Sequence, residues 1–137
     1  VTLTSFPVGS TRLCVDVAAL RSVIARPTVA PVPGAPGWLV GVYNDLGRAV
    51  AAVDAAALLG LARAGQPVAV LLLVETRSGV LGLCADGPPT EVQARTPPRR
   101  GAVVEVVNRE ADLLRIDLPL LEAEIEASMS VISGRAV

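Results

Sequence analysis

At 137 residues the chain is sized for one compact domain, and with 52% hydrophobic against 18% charged residues it can bury a substantial core. With a net charge of −1 nothing suggests an electrostatic nucleic-acid binder, and the absence of His removes the commonest general base and metal ligand. All 12 basic residues are Arg and the mean hydropathy is +0.57, so the surface is poor in charge and leaves apolar patches for partners.

Short apolar segments punctuated by Gly and Pro run through the whole chain, the pattern of an all-β fold with short helices. Thr2–Val8 reads as the first strand. After a Gly9-Ser10 turn, Arg12-Leu-Cys-Val-Asp-Val17 alternates, with Leu13, Val15 and Val17 on one face. Ala18–Ala25 places Leu20, Val23 and Ile24 at i, i+3 and i+4, which predicts a short helix ended by Pro27. Thr28–Val32 is a short strand, and Pro33-Gly-Ala-Pro-Gly37 a stiff exposed loop. Trp38–Tyr43 and Arg48–Val53 flank a turn at Asn44-Asp-Leu-Gly47. Gly41 is expected at a close backbone approach and Gly47 at a positive-φ turn. Asp54 is placed to cap a helix over Ala55–Leu59, and Ala64-Gly-Gln-Pro67 breaks the chain.

Val68–Thr76 and Gly79–Ala85 form the next predicted hairpin, followed by a turn at Gly87-Pro-Pro89 and a strand over Thr90–Arg95. Thr96–Gly101 is a Pro- and Arg-rich loop whose Arg99 and Arg100, with Arg95, read as a solvated basic surface. Val103–Val107 and Asp112–Asp117 are the last strands, joined by a turn at Asn108-Arg-Glu. Asp117 caps a C-terminal helix expected over approximately 118–129. The halves echo each other: Leu13-Cys-Val-Asp16 matches Leu83-Cys-Ala-Asp86, and Val53-Asp54 matches Ile116-Asp117, each ahead of a Leu-Leu pair. Two echoes in the same order suggest two similar small β units.

The longest apolar run, Val68–Val74, is far shorter than the ~20 residues a membrane-spanning helix needs. The amino end has no basic patch followed by an apolar stretch, so the expectation is a cytoplasmic protein without membrane insertion. Cys14 and Cys84 read as reduced, buried small hydrophobes. No phosphate loop or G-x-S-x-G elbow is present, and without His neither Cys has a base partner. Glu122, Glu124 and Glu126 fall on a surface helix, where solvation is their simplest role. Catalytic, cofactor and metal residues are therefore expected to be none. A small-ligand barrel is the competing class, though with 2% aromatics few groups could grip a ligand.

The block Pro31-Val-Pro-Gly-Ala-Pro36, Trp38, Gly41-Val-Tyr-Asn44, Gly47 and Val53-Asp54 resembles the CheW-like domain of bacterial chemotaxis adaptors. Val80-Leu-Gly-Leu-Cys-Ala-Asp-Gly87 is similar to that family's Gly-apolar-x-x-Asp strand, and Arg115–Leu121 to its closing strand and helix. The resemblance implies one domain over 1–137 made of two packed five-stranded SH3-like barrels, with subdomain halves of approximately 1–65 and 66–137. It also implies a non-catalytic adaptor that bridges a chemoreceptor cytoplasmic tip and a sensor histidine kinase's regulatory domain at membrane-associated arrays.

The chain also departs from the family pattern. Leu46 stands where the family usually has Arg, and Ser22 where it usually has Glu. Losing both together avoids a single unpaired charge and reads as a concerted change to a more apolar contact surface. The second half is shortened around Pro97–Glu105. These departures raise an alternative: an accessory adaptor holding a receptor or a dedicated partner without recruiting the kinase normally. The candidate partner-binding residues are Leu20, Ser22, Val23, Ile24, Trp38, Val42, Asn44, Leu46 and Leu83. Trp38 is open between an interface anchor and a cover over one end of the first barrel.

Overall fold

The computed structural model describes residues 2–60, 68–94, 104–108 and 113–132. The expected turn at 64–67, the loop at 96–101 and residues 109 and 110 of the last turn lie outside that set. In chain order the elements are β1 (Thr2–Val8), β2 (Thr11–Asp16), a 3-10 turn (Val17–Ala19), β3 (Leu20–Ala25), β4 (Val29–Ala30), β5 (Leu39–Asp45), β6 (Arg48–Val53) and α1 (Ala55–Leu58). Then follow β7 (Val70–Thr76), β8 (Gly79–Ala85), β9 (Thr90–Gln93), β10 (Val104–Asn108), β11 (Leu113–Ile116) and α2 (Leu118–Ile132). The all-β expectation with few short helices is borne out.

Two sheets form, one ordered β10-β11-β2-β1-β9 and the other β3-β7-β8-β6-β5-β4. The second contains one strand fewer than its pairing suggests. Following the antiparallel and parallel pairings from β7 through β8, β6 and β5, β3 and β4 point the same way, and only Arg26, Pro27 and Thr28 separate them. Arg26 takes φ 50, so β3 and β4 are one strand bent at a left-handed residue, supplying both edges of the sheet. Ile24 from β3 and Val29 from β4 accordingly pack into one interior with Val50, Leu71, Leu73 and Cys84. The sheet curls back on itself as a five-membered barrel.

Three apolar layers result. Leu3, Cys14 and Leu113 fill the first barrel, with Val92 packed against them, and the cluster around Leu71 fills the second. Between the barrels lies the largest layer, with Phe6, Leu13 and Val15 from one sheet facing Leu72, Val74 and Leu83 from the other. This explains the unbroken apolar run in β7. Leu71 and Leu73 point into the second barrel while Val70, Leu72 and Val74 point into the shared layer, so neither face is available for a polar residue. Each leucine so buried contributes roughly 1.5–3 kcal/mol relative to exposure. Both cysteines are buried, as read from sequence.

The two barrels share one strand plan. In the first, β11 runs parallel to β2, with Leu114 opposite Leu13 and Arg115 opposite Cys14; in the second, β6 runs parallel to β8, with Val53 opposite Leu83. The sequence echoes therefore mark equivalent strands: Cys14 and Cys84 each point into their own barrel, and Asp54 and Asp117 each follow an equivalent strand and cap a helix. Asp54 Oδ1 accepts from Ala57 N at 3.1 Å, and Asp117 Oδ1 from Leu120 N at 3.1 Å. The first barrel nevertheless takes its strands from both ends of the chain while the second uses the continuous run β3 to β8, so the division between sheets does not follow the chain midpoint. Asp86 ties the barrels at one end. Its carboxylate accepts from Gly9 N at 2.6 Å, and its own N–H donates to Pro7 O at 2.9 Å.

The helix expected over Ala18–Ala25 is a correction: the segment is a 3-10 turn followed by strand β3. The pairing register slips between Leu20 and Ser22, so an extra residue, Arg21, is inserted against β7. Leu20 and Val23 then face the same side, opposite Val74 and Leu72, while Ile24 opposite Leu71 faces the other. A bulge thus reproduces the i, i+3 spacing of a helix. The β-branched Val23 and Ile24 suit the strand.

Gly41 is the close approach expected of it: a Cβ there would overlap the Ala30 carbonyl oxygen and lie 2.7 Å from Val29 Cγ1. Gly41→Ala should destabilise the fold by about 1–3 kcal/mol through overpacking at the β4–β5 contact, measurable by urea unfolding. Thr4 Oγ1 is buried without a hydrogen-bond partner among the described residues. Thr4→Val, which removes that hydroxyl at nearly constant shape, should raise stability by about 1 kcal/mol in the same assay.

Candidate functional site

The candidate partner residues fall into three groups. Trp38 is only 9% exposed and Leu83 is fully buried; both belong to the shared layer, and Trp38 O accepts from Asp54 N at 2.7 Å. Trp38 is thus a core residue, and Leu83 lies on a strand covered on both faces. Leu20, Ile24 and Val42 are half-buried: Leu20 packs on the shared layer and Ile24 on the interior of the second barrel. Ser22, Val23, Asn44 and Leu46 are exposed, Val23 at 41% and Leu46 at 100%.

The exposed residues lie in two places, the bent strand β3 and the β5–β6 hairpin tip. The tip is a two-residue turn, with Asp45 paired to Arg48 and φ of 50 at Leu46 and 90 at Gly47. Positive φ at both central positions matches the hairpin turn that follows the strands' own twist, which Asn-Gly satisfies without strain. Asn44 Oδ1 accepts from Gly47 N at 2.8 Å and braces the turn, so Asn44 has a structural role whatever else it touches. Leu46 instead combines an unfavourable backbone with a side chain wholly in water.

Around this end of the second barrel the β7–β8 turn, the 3-10 turn and the start of α2 enclose a cleft of about 750 Å³, lined by Ala19, Thr76, Arg77, Ile116 and Leu118 among others. Arg115 and Asp16 meet across its wall at 3.1 Å, with the Arg115 side chain largely buried. Desolvation by burial pushes the Cys14 thiol up to about 11, outweighing the nearby Arg115 guanidinium; Asp16 reinforces the rise. The thiol stays protonated and is a packing group, not a nucleophile. On the outer surface Arg21 pairs with Glu75 at 3.5 Å, a solvent-exposed contact of small energetic weight. Among the described residues no cluster of His, Cys, Asp or Glu could hold a metal, and no helix is long and apolar enough to cross a membrane.

Sequence reasoning missed the Arg115–Asp16 pair, the Arg12 bridge from Ser5 Oγ (2.8 Å) to Thr90 Oγ1 (3.2 Å), and the Ser78 to Glu122 hydrogen bond at 2.7 Å. All join residues remote in the chain or on adjoining strands, and no local pattern announces them. Hydrogen bonds from Thr76 and Ser78 hold the Glu122 carboxyl below its ordinary value of 4.5.

A depressed carboxylate contributes stability above its unfolded value and loses it as pH falls through the lower folded one. The stability gap between the natural chain and Ser78→Ala should therefore be present above pH 4.5 and close as pH falls through Glu122's depressed value, followed by urea unfolding across that range. At the hairpin tip, Leu46→Asn should raise stability by about 1 kcal/mol, because Asn tolerates the left-handed conformation that Leu resists, read as a higher Tm.

Comparison with known proteins gives the geometry a family. Residues 2–111 match the model of the CheW-like domain. The chain is 34% identical over 86 residues to a chemotaxis protein CheW of Rhizobium meliloti (strain 1021), the match covering 61% of this chain and 55% of that protein. It is 28% identical over 82 residues to chemotaxis protein CheW of Thermotoga maritima, covering 60% and 54%. The match thus spans little more than half the length of these relatives. The scaffolding protein TtCheW from Thermoanaerobacter tengcongensis superposes with a TM-score of 0.70 at 20% identity, covering 88% of this chain and 90% of that one. The paired barrels, the shared layer between them and the motif block from Pro31 to Asp54 thus have one origin: the chain belongs to the CheW-like domain family.

Proposed function

We propose that this protein is a non-catalytic signalling adaptor of a chemosensory system, acting in the cytoplasm to couple chemoreceptors to a sensor histidine kinase. The observation that carries the reading is the CheW-like match over residues 2–111 on a two-barrel fold. The relatives' names, chemotaxis protein and scaffolding protein, support an adaptor. The packed barrel interiors agree with it, since side chains such as Leu71 and Leu73 occupy the space a ligand barrel would keep open. In this reading the whole chain acts as one domain. The receptor's helical cytoplasmic tip docks on the surface at β3 where Ser22 and Val23 are exposed, with Leu20 and Ile24 packed beneath as its support. The kinase's regulatory domain is the second partner.

Leu46 and Ser22 favour a second, narrower reading, an accessory adaptor that holds a receptor or a dedicated partner without normal kinase recruitment. The hairpin tip offers a fully exposed leucine, and β3 offers an exposed, uncharged Ser22, which supports an apolar partner face at those two positions.

Capture assays with the receptor tip and with the kinase regulatory domain, each from the same organism, test both readings. Retention of the receptor tip is the expected result in either case; binding neither would remove the adaptor proposal. Restoring the charges with Ser22→Glu and Leu46→Arg together should raise kinase-domain affinity at least several-fold and weaken binding to any apolar partner. Unchanged affinities for both would place the docking surface elsewhere.

A further inference from the structure

We draw no further inference here: the strongest candidate, the cleft of about 750 Å³ between the β7–β8 turn, the 3-10 turn and the start of α2, has walls bearing charges of both signs and nothing in the structure shows what covers it.

Discussion

The fold depends on strands that are buried on both faces. β7 and β8 stand between the interior of the second barrel and the layer it shares with the first, and β1 and β2 stand in the mirror position. In β7 and β8 this leaves no polar face, so residues are chosen by volume: Leu71, Leu72 and Leu73 in β7, and Gly82 in β8, where a Cβ would come within 2.9 Å of Leu71 Cδ1; β1 admits only the small polar Thr4 and Ser5. Packing at interior density lets neither barrel shift without opening gaps in the shared layer. The barrels behave as one body because they share a core, and the Asp86 contacts with Gly9 and Pro7 secure one end of a joint that is mainly apolar.

That economy decides where recognition can occur. A barrel wall that faces its neighbour is closed to partners, which removes Trp38 and Leu83 from the available surface. What is left are turns, strand ends and the bent strand β3, which pairs on only one side along its first half. β3 is also protected from indiscriminate edge pairing. It carries a bulge at Arg21 and ends at the left-handed Arg26, two irregularities that discourage the addition of a further strand. What β3 presents to solvent is therefore side chains: Arg21, paired with Glu75, and the uncharged Ser22, Val23 and Ala25.

The sequence made most of the strands legible because turn chemistry here is strict. β1, β6 and β8 have the ends that Gly, Pro and alternation predict, and Asp54 and Asp117 cap helices as read. Even the echo between Leu13-Cys14 and Leu83-Cys84 found its counterpart in equivalent strands. Two features could not be read locally. The bulge at Arg21 shifts the phase of β3 by one residue and makes a strand imitate a helix. The joining of the two chain ends in the first barrel is set by pairings such as β11 with β2, which join residues about a hundred positions apart and leave no trace in local periodicity. The site followed the same rule: exposure at a turn was visible at Leu46, whereas the burial of Leu83 depends on what the opposite barrel brings over it.

Leu46 is where structure and recognition pull apart. A leucine in the left-handed region costs about 1–2 kcal/mol of backbone energy, and at full exposure its side chain recovers none of it through burial. A hairpin selected for stability alone would place Asn or Gly there, and the brace from Asn44 to Gly47 would serve it equally well. Of the two non-Gly residues at positive φ among those described, Arg26 bends β3 into β4, whereas Leu46 turns a hairpin that Asn would turn at lower cost. Ser22 stands differently: exposed on β3 beside the charged Arg21, it lies in extended backbone that any residue adopts, so the backbone cost falls on Leu46 alone.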